Sequence, residues 1–155
     1  MTEVEQWKND LFVYNEDYEK IALKVKDLSN RAYGLVGEFK PLTAEQFQIL
    51  ASVGVALSVQ LQRLVDSRAE AAYNYRGVKN FYERTLKERK LVIMGRGEKK
   101  TAAGVAEDQA LIESFAEFDL VNEAERYAET SDKRWESTER LIASVRTKLD
   151  YGQHP

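Results

Sequence analysis

Spacing is the feature that most constrains this chain. From Val4, apolar side chains recur at Trp7, Leu11, Tyr14, Tyr18, Ile21, Val25, Leu28, Ala32 and Leu35, alternating intervals of three and four. In a strand such residues would scatter over both faces, whereas on a helix they line one stripe, the a and d positions of a heptad. The pattern predicts a helix from about Thr2 to Tyr33, with Gly34 and Gly37 loosening its end and Pro41 closing the linker.

A second helix opens on Thr43-Ala44-Glu45-Gln46, where Thr43 as N-cap and Gln46 three residues on make a capping box. Heptad spacing then continues through Phe47, Leu50, Gly54, Leu57, Leu61, Leu64, Arg68, Ala71, Tyr75, Val78, Tyr82, Thr85, Arg89 and Val92. It predicts a helix reaching Met94, about fifty residues or ~75 Å at 1.5 Å per residue. Such a helix must find helical partners along its length. Gly95 to Lys100 reads as a basic turn, with Thr101 as a candidate cap for the helix that follows. A last seam runs through Val121, Ala124, Ala128, Ser131, Trp135, Thr138, Ile142, Val145 and Leu149. Periodicity weakens between Phe115 and Asp119, so a short helix from about Ala102 to Phe115 and a long one to Asp150 are expected, one continuous helix being the alternative.

The fold class expected is therefore all-α: long heptad-patterned helices forming helical hairpins that assemble into a homo-oligomer. The segments are residues 1–40, 41–100 and 101–155 of one domain. Composition agrees. Charged residues make up 32% of the chain, above the roughly 25% of ordinary globular domains. Only two prolines interrupt it. Val4, Trp7, Leu11, Tyr14, Tyr18, Ile21, Val121, Trp135, Ile142 and Leu149 are the seam residues expected to join one copy to another. Tyr, Trp, Ala and Thr in mixed seam positions depart from the dimer rule and lean towards a higher oligomer.

Catalysis finds little footing. There is no cysteine, and the one histidine, His154, stands next to the C-terminal residue, where no surrounding shell fixes it. Neither a nucleophile–base set nor a metal set is present, so no enzyme and no cofactor is expected. Gly95 to Thr101 superficially resembles a phosphate loop, but it follows a helix, and no glycine immediately precedes Lys100-Thr101. The N-terminus is acidic and polar, unlike a signal peptide. No apolar run is expected to approach the ~20 residues of a membrane span, because Gln48, Ser52, Ser58 and Gln60 interrupt the greasiest stretch. A soluble, cytoplasmic protein is expected.

The net charge of −3 conceals an asymmetry. Residues 1–75 carry 8 basic and 11 acidic side chains, residues 76–100 carry 9 and 3, and residues 101–155 carry 6 and 12. The basic block is Arg76, Lys79, Arg84, Lys87, Arg89, Lys90, Arg96, Lys99 and Lys100, interleaved with Tyr73, Tyr75, Phe81 and Tyr82. Cations tracking phosphates and rings stacking on bases are how single-stranded nucleic acid is bound. The structural alternatives are that Tyr75 and Tyr82, at seam positions, are core, and that the cations form an ordinary solvated face.

Leu86-Lys87-Glu88-Arg89 followed by Gly95-Arg96-Gly97, then Lys100-Thr101 opening a helix, Phe118-Asp119-Leu120-Val121, and Ser144-Val145-Arg146 resemble the UvsY-type recombination mediators of tailed phages. The resemblance covers roughly Phe81 to Leu149. It implies a ring-like oligomer that binds single-stranded DNA and helps a RecA-like recombinase displace a single-strand binding protein, in the host cytoplasm if the chain is phage-encoded. It matches Lys87 and Arg89 to the family's DNA-binding cations and places Arg96 in the adjoining Gly-Arg-Gly. The rival reading is a non-catalytic coiled-coil scaffold, adaptor or regulator whose basic block meets another protein.

Overall fold

The structure, a computed structural model, describes residues 1–95 and 102–151. Among them lie four α-helices and no strand: α1 Glu3–Val36, α2 Ala44–Met94, α3 Ala103–Glu113 and α4 Phe115–Tyr151. The fold is all-α.

Local chemistry explains most of the helix boundaries. The Thr43 N–H donates to Gln46 Oε1 at 3.0 Å and the Gln46 N–H to Thr43 Oγ1 at 3.1 Å, the reciprocal capping box that opens α2. An equivalent box, which the sequence reading did not identify, opens α1: the Thr2 N–H donates to Glu5 Oε2 at 2.8 Å and the Glu5 N–H to Thr2 Oγ1 at 3.1 Å. Replacing Thr43 by alanine is expected to cost about 1 kcal/mol, read as a lowered urea midpoint with an unchanged slope.

Gly34 does not end α1, which continues to Val36 because Leu35 and Val36 pack against a buried cluster. The Gly37 N–H then closes the last turn on the Tyr33 carbonyl at 3.1 Å. Between α3 and α4 the break falls at Ser114, whose φ of −104° and ψ of 21° lie in the bridge region. Its N–H turns back to the Leu111 carbonyl at 3.2 Å, and its own carbonyl accepts from the Phe118 N–H at 3.0 Å. The long C-terminal helix therefore starts at Phe115. The N-cap of α3 is Ala102, which supplies no side-chain bond; Thr101, the cap expected from sequence, lies outside the described residues.

Packing divides the chain into two compact units: Met1–Val13 with Glu70–Ala128, and Tyr14–Ala69 with Glu129–Pro155. In the first, Leu11, Val78, Phe81, Leu120 and Ala124 form a core flanked by Val4, Trp7 and Val121. Ile93, Ala106 and Ala110 seat α3 on the end of α2. In the second, Ala32, Leu50, Leu57, Leu141, Ile142 and Val145 are buried together, with Leu28 and Leu149 against them. A polar layer adjoins that core. Tyr14 stacks on Tyr18 with ring centroids 6.1 Å apart, Ser67 Oγ donates to Tyr14 Oη at 3.1 Å, and Arg68 lies over the Trp135 ring at 4.4 Å while pairing with Asp132. Lys148 Nζ holds the linker after α1 by donating to the Glu38 carbonyl.

The residues expected to join one copy to another are placed by this arrangement within the chain's own packing. Leu11, Tyr14, Tyr18 and Ile142 are buried, Val4, Trp7, Ile21, Val121, Trp135 and Leu149 half-buried, all within one chain. Each seam meets the chain's own helices. A second difference concerns α2. It holds an 18-residue window of mean hydropathy 1.3, long and apolar enough by length and composition to cross a membrane, of which 28% is buried. Gln48, Ser52, Ser58 and Gln60 are uncharged and lower that hydropathy without cancelling it.

Candidate nucleic-acid interface

The C-terminal half of α2 belongs to the first unit and turns Ala71, Asn74, Val78, Phe81 and Ile93 inwards. At about 100° per residue, Tyr73, Arg76, Lys79, Lys87 and Lys90 fall within about a third of the circumference on the opposite side. The burial pattern agrees: Arg76, Lys79 and Lys87 are exposed, and the Tyr73 side chain is 68% accessible. Arg76, Lys79 and Lys87 enter no ion pair with a described residue; Arg76 Nε only leans back to the Ala72 carbonyl at 3.4 Å. One aromatic ring and three cations that form no ion pair with a described residue thus share a solvated face, Lys87 with the groove carboxylates of Glu83 and Glu107 nearby. Of the other rings considered, Tyr75 flanks the apolar core, Phe81 is buried in it, and Tyr82 packs on Phe118 with centroids 5.8 Å apart.

The remaining cations of the block behave differently. Arg84 Nη2 reaches both carboxylate oxygens of Glu3, at 2.6 and 2.7 Å, and both side chains are more than half exposed. Lys90 Nζ stands 3.4 Å from Glu107 Oε2. Exposed pairs of this kind contribute about 0–1 kcal/mol, so either cation can exchange its carboxylate for a phosphate at little cost. Lys87 and Lys90 also line a groove of 270 Å³ between α2 and α3, where Glu83 and Glu107 balance their charge.

Arg89 is the exception. It leaves the solvated face and closes the α3–α4 corner. Nη1 donates to the Glu113 carbonyl at 2.9 Å, to Ser114 Oγ at 2.7 Å and to Glu117 Oε2 at 3.0 Å, while Nη2 donates to Glu117 Oε1 at 2.7 Å. The Glu117 residue is only 4% exposed. Burial pushes its carboxyl up, but the hydrogen bonds from Arg89, a backbone hydrogen bond and the Arg89 charge together outweigh that and hold it below its ordinary value. In return the hydrogen bond to Glu117 raises the Arg89 guanidinium against the opposing effect of burial. Both Nη groups of Arg89, the ends that would grip a phosphate, thus face structural acceptors. A phosphate at Arg89 would have to displace these acceptors, and the acids that pair with the block's cations, Glu3, Glu107 and Glu117, are residues that charge counting along the sequence missed.

Arg96, Lys99 and Lys100 lie outside the described residues, as does His154. The chain matches no protein-family model, no curated protein and no solved structure. Among the described residues no three His, Cys, Asp or Glu side chains converge as a metal site would require. What the arrangement can do chemically is hold phosphates by charge and a base by stacking.

Proposed function

We propose that the chain is a non-catalytic single-stranded DNA-binding protein that works as an oligomer and assists loading of a RecA-like recombinase onto DNA covered by single-strand binding protein. The observation that carries the binding step is the solvated face of α2, where Arg76, Lys79 and Lys87 are exposed and form no ion pair with a described residue, beside the exposed Tyr73 ring. The recombinase and the displaced single-strand binding protein come from the sequence resemblance. Several copies on one strand would turn weak phosphate contacts into tight binding through effective concentration.

The test is titration of a labelled oligothymidylate across a salt series, for the native chain and for Arg76→Ala/Lys79→Ala/Lys87→Ala. Loss of three phosphate contacts is expected to make the log–log salt slope shallower by about 2, at about 0.7 per contact on single strands. Equal slopes for the two proteins, or no binding by the native chain at low salt, would reject the reading.

A second reading has its own observation. Val105, Leu111, Ile112, Phe115 and Phe118 on α3 and the start of α4 are all exposed, Ile112 at 77% and Phe115 at 65%. An apolar surface of that kind suits a scaffold or adaptor that meets another protein. Failure of oligonucleotide binding together with capture of a protein through this surface would favour it.

A further inference from the structure

A second basic site lies in the unit formed by Tyr14–Ala69 and Glu129–Pro155. There α1 and α4 enclose a cleft of 190 Å³. Among the described residues that line it, Lys26 and Arg134 bring the only formal charges, and none is Asp or Glu. The acids nearest in sequence are engaged elsewhere: Asp27 stands 3.7 Å from Arg31 and Glu136 3.9 Å from Arg140. The groove beside Lys87 and Lys90 makes the contrast, since its two lysines face two glutamates. Of the two, only this cleft keeps an uncompensated positive charge.

The donors are also held in place. Arg134 Nε donates to Tyr18 Oη at 3.5 Å, and the Tyr18 ring is buried against Tyr14, so the guanidinium is steadied at one end while its Nη groups enter no ion pair with a described residue. The Ser137 and Thr138 hydroxyls both donate to the Arg134 carbonyl, at 3.1 and 2.7 Å, fixing the backbone behind it. The Ser29 hydroxyl and the Asn30 carboxamide remain as neutral donors within the cleft, and Tyr33, a further lining residue, is 59% exposed. A planar guanidinium, an ammonium and two neutral donors suit an oxyanion with several acceptor oxygens. The volume lies below the about 300–1,000 Å³ of sites that enclose a whole drug-sized ligand. It suits one phosphate group, with the rest of the ligand outside on the Tyr33 ring.

We infer that this cleft binds the phosphate of a nucleotide through Lys26 and Arg134, with the base stacked on Tyr33. The choice of a nucleotide rests on the nucleic-acid reading above. The ligand's source is either a free mononucleotide or one residue of a single strand.

The experiment is an NMR titration of the isotope-labelled full-length chain with thymidine monophosphate, inorganic phosphate and thymidine. Saturable shifts are expected at the amides of Lys26, Ser29, Asn30 and Arg134 and at Arg134 Nε with the monophosphate, weaker ones with phosphate, and none with thymidine. Removing the charge-assisted bonds by Arg134→Gln is expected to weaken the monophosphate about tenfold or more. Lys26→Gln, on an exposed position that cannot upset the fold, is expected to weaken it in the same direction. Tyr33→Ala should reduce the monophosphate to the level of phosphate. Oligothymidylate shifting the same signals assigns the source to a strand; shifts with the mononucleotide alone assign it to a free nucleotide. No saturable shift at these residues with either phosphate compound, or shifts that survive Lys26→Gln unchanged, would overturn the site. Should oligothymidylate bind through Arg76, Lys79 and Lys87 while neither it nor the monophosphate shifts these signals, the cleft falls and the strand reading stands. Monophosphate binding in a chain that ignores oligothymidylate gives the reverse.

Discussion

Replacing Arg89 by alanine is expected to destabilise the protein by about 3 kcal/mol or more, because it leaves a buried carboxylate without its counter-charge. Glu117 is nearly inaccessible, and the same guanidinium also satisfies the Glu113 carbonyl at the end of α3 and the Ser114 hydroxyl at the break. Arg84→Ala is the natural comparison. It removes contacts at least as short, from one nitrogen to both Glu3 oxygens, yet both partners there are exposed, so about 0–1 kcal/mol is expected. Urea denaturation of the two variants reads the difference directly, and equal midpoints would reject the structural role given to Arg89. The pH dependence has a definite sign. Glu117 is held below its unfolded value, so the pair's contribution is complete above the ordinary glutamate pKa of about 4.3. It is lost as pH falls through the folded value. The gap between the native chain and Arg89→Ala should therefore be full at pH 7 and close in acid.

This has a consequence for any DNA-binding assay. The resemblance to recombination mediators pairs Arg89 with Lys87, but the two occupy different sides of α2. A loss of binding on changing Arg89 would report the collapse of the α3–α4 corner as readily as a lost phosphate. Lys87→Ala, by contrast, touches a solvated side chain and leaves the core alone.

The placement of Arg89 was legible in the sequence, in a pattern that charge counting overrode. Thr85, Arg89 and Val92 continue the same three–four spacing as Tyr75, Val78 and Tyr82, and that spacing turns Arg89 inwards. An arginine on an inward stripe needs an acceptor, and Glu117 supplies it from a helix whose position no local pattern could give. Helix extents were legible wherever a cap or a breaker fixed them. The capping box at Thr43 and the end of α2 at Met94 fall where local chemistry puts them. Gly34 misled because burial of Leu35 and Val36 outweighs the helix-weakening effect of one glycine. What covers a seam was not legible. Spacing identifies an apolar stripe, but a partner helix in the same chain and one in another copy demand the same residues, and here Leu11, Tyr14 and Ile142 are covered from within. The Lys26–Arg134 cleft was invisible for a related reason: its two cations are far apart in sequence and lie outside the basic block.

Gly77 gives the second large effect. It lies inside α2, where glycine costs about 1 kcal/mol relative to alanine in helix propensity. On propensity alone, any side chain should therefore help. The surroundings reverse that. A Cβ at Gly77 would stand 2.9 Å from Trp7 Cζ2 and closer still to Cη2, well inside the about 3.5–4.0 Å at which carbon atoms attract. Trp7 is packed on the core of Leu11, Val78 and Phe81, so its indole moves only by disturbing that cluster. Gly77→Leu is expected to destabilise by about 3 kcal/mol, at the upper end for overpacking, and Gly77→Ala by less. Gly34→Ala and Gly104→Ala are the controls, since neither Cβ would meet anything within 4 Å. Freed of collision, both should stabilise by about 0.5–1 kcal/mol. Combining Gly77→Leu with Trp7→Ala separates collision from backbone effects: contact between the two sites predicts a double variant less damaged than the sum of the singles. Strict additivity would mean that the indole does not fill the space over Gly77, and that α1 and α2 approach closely there for some other reason.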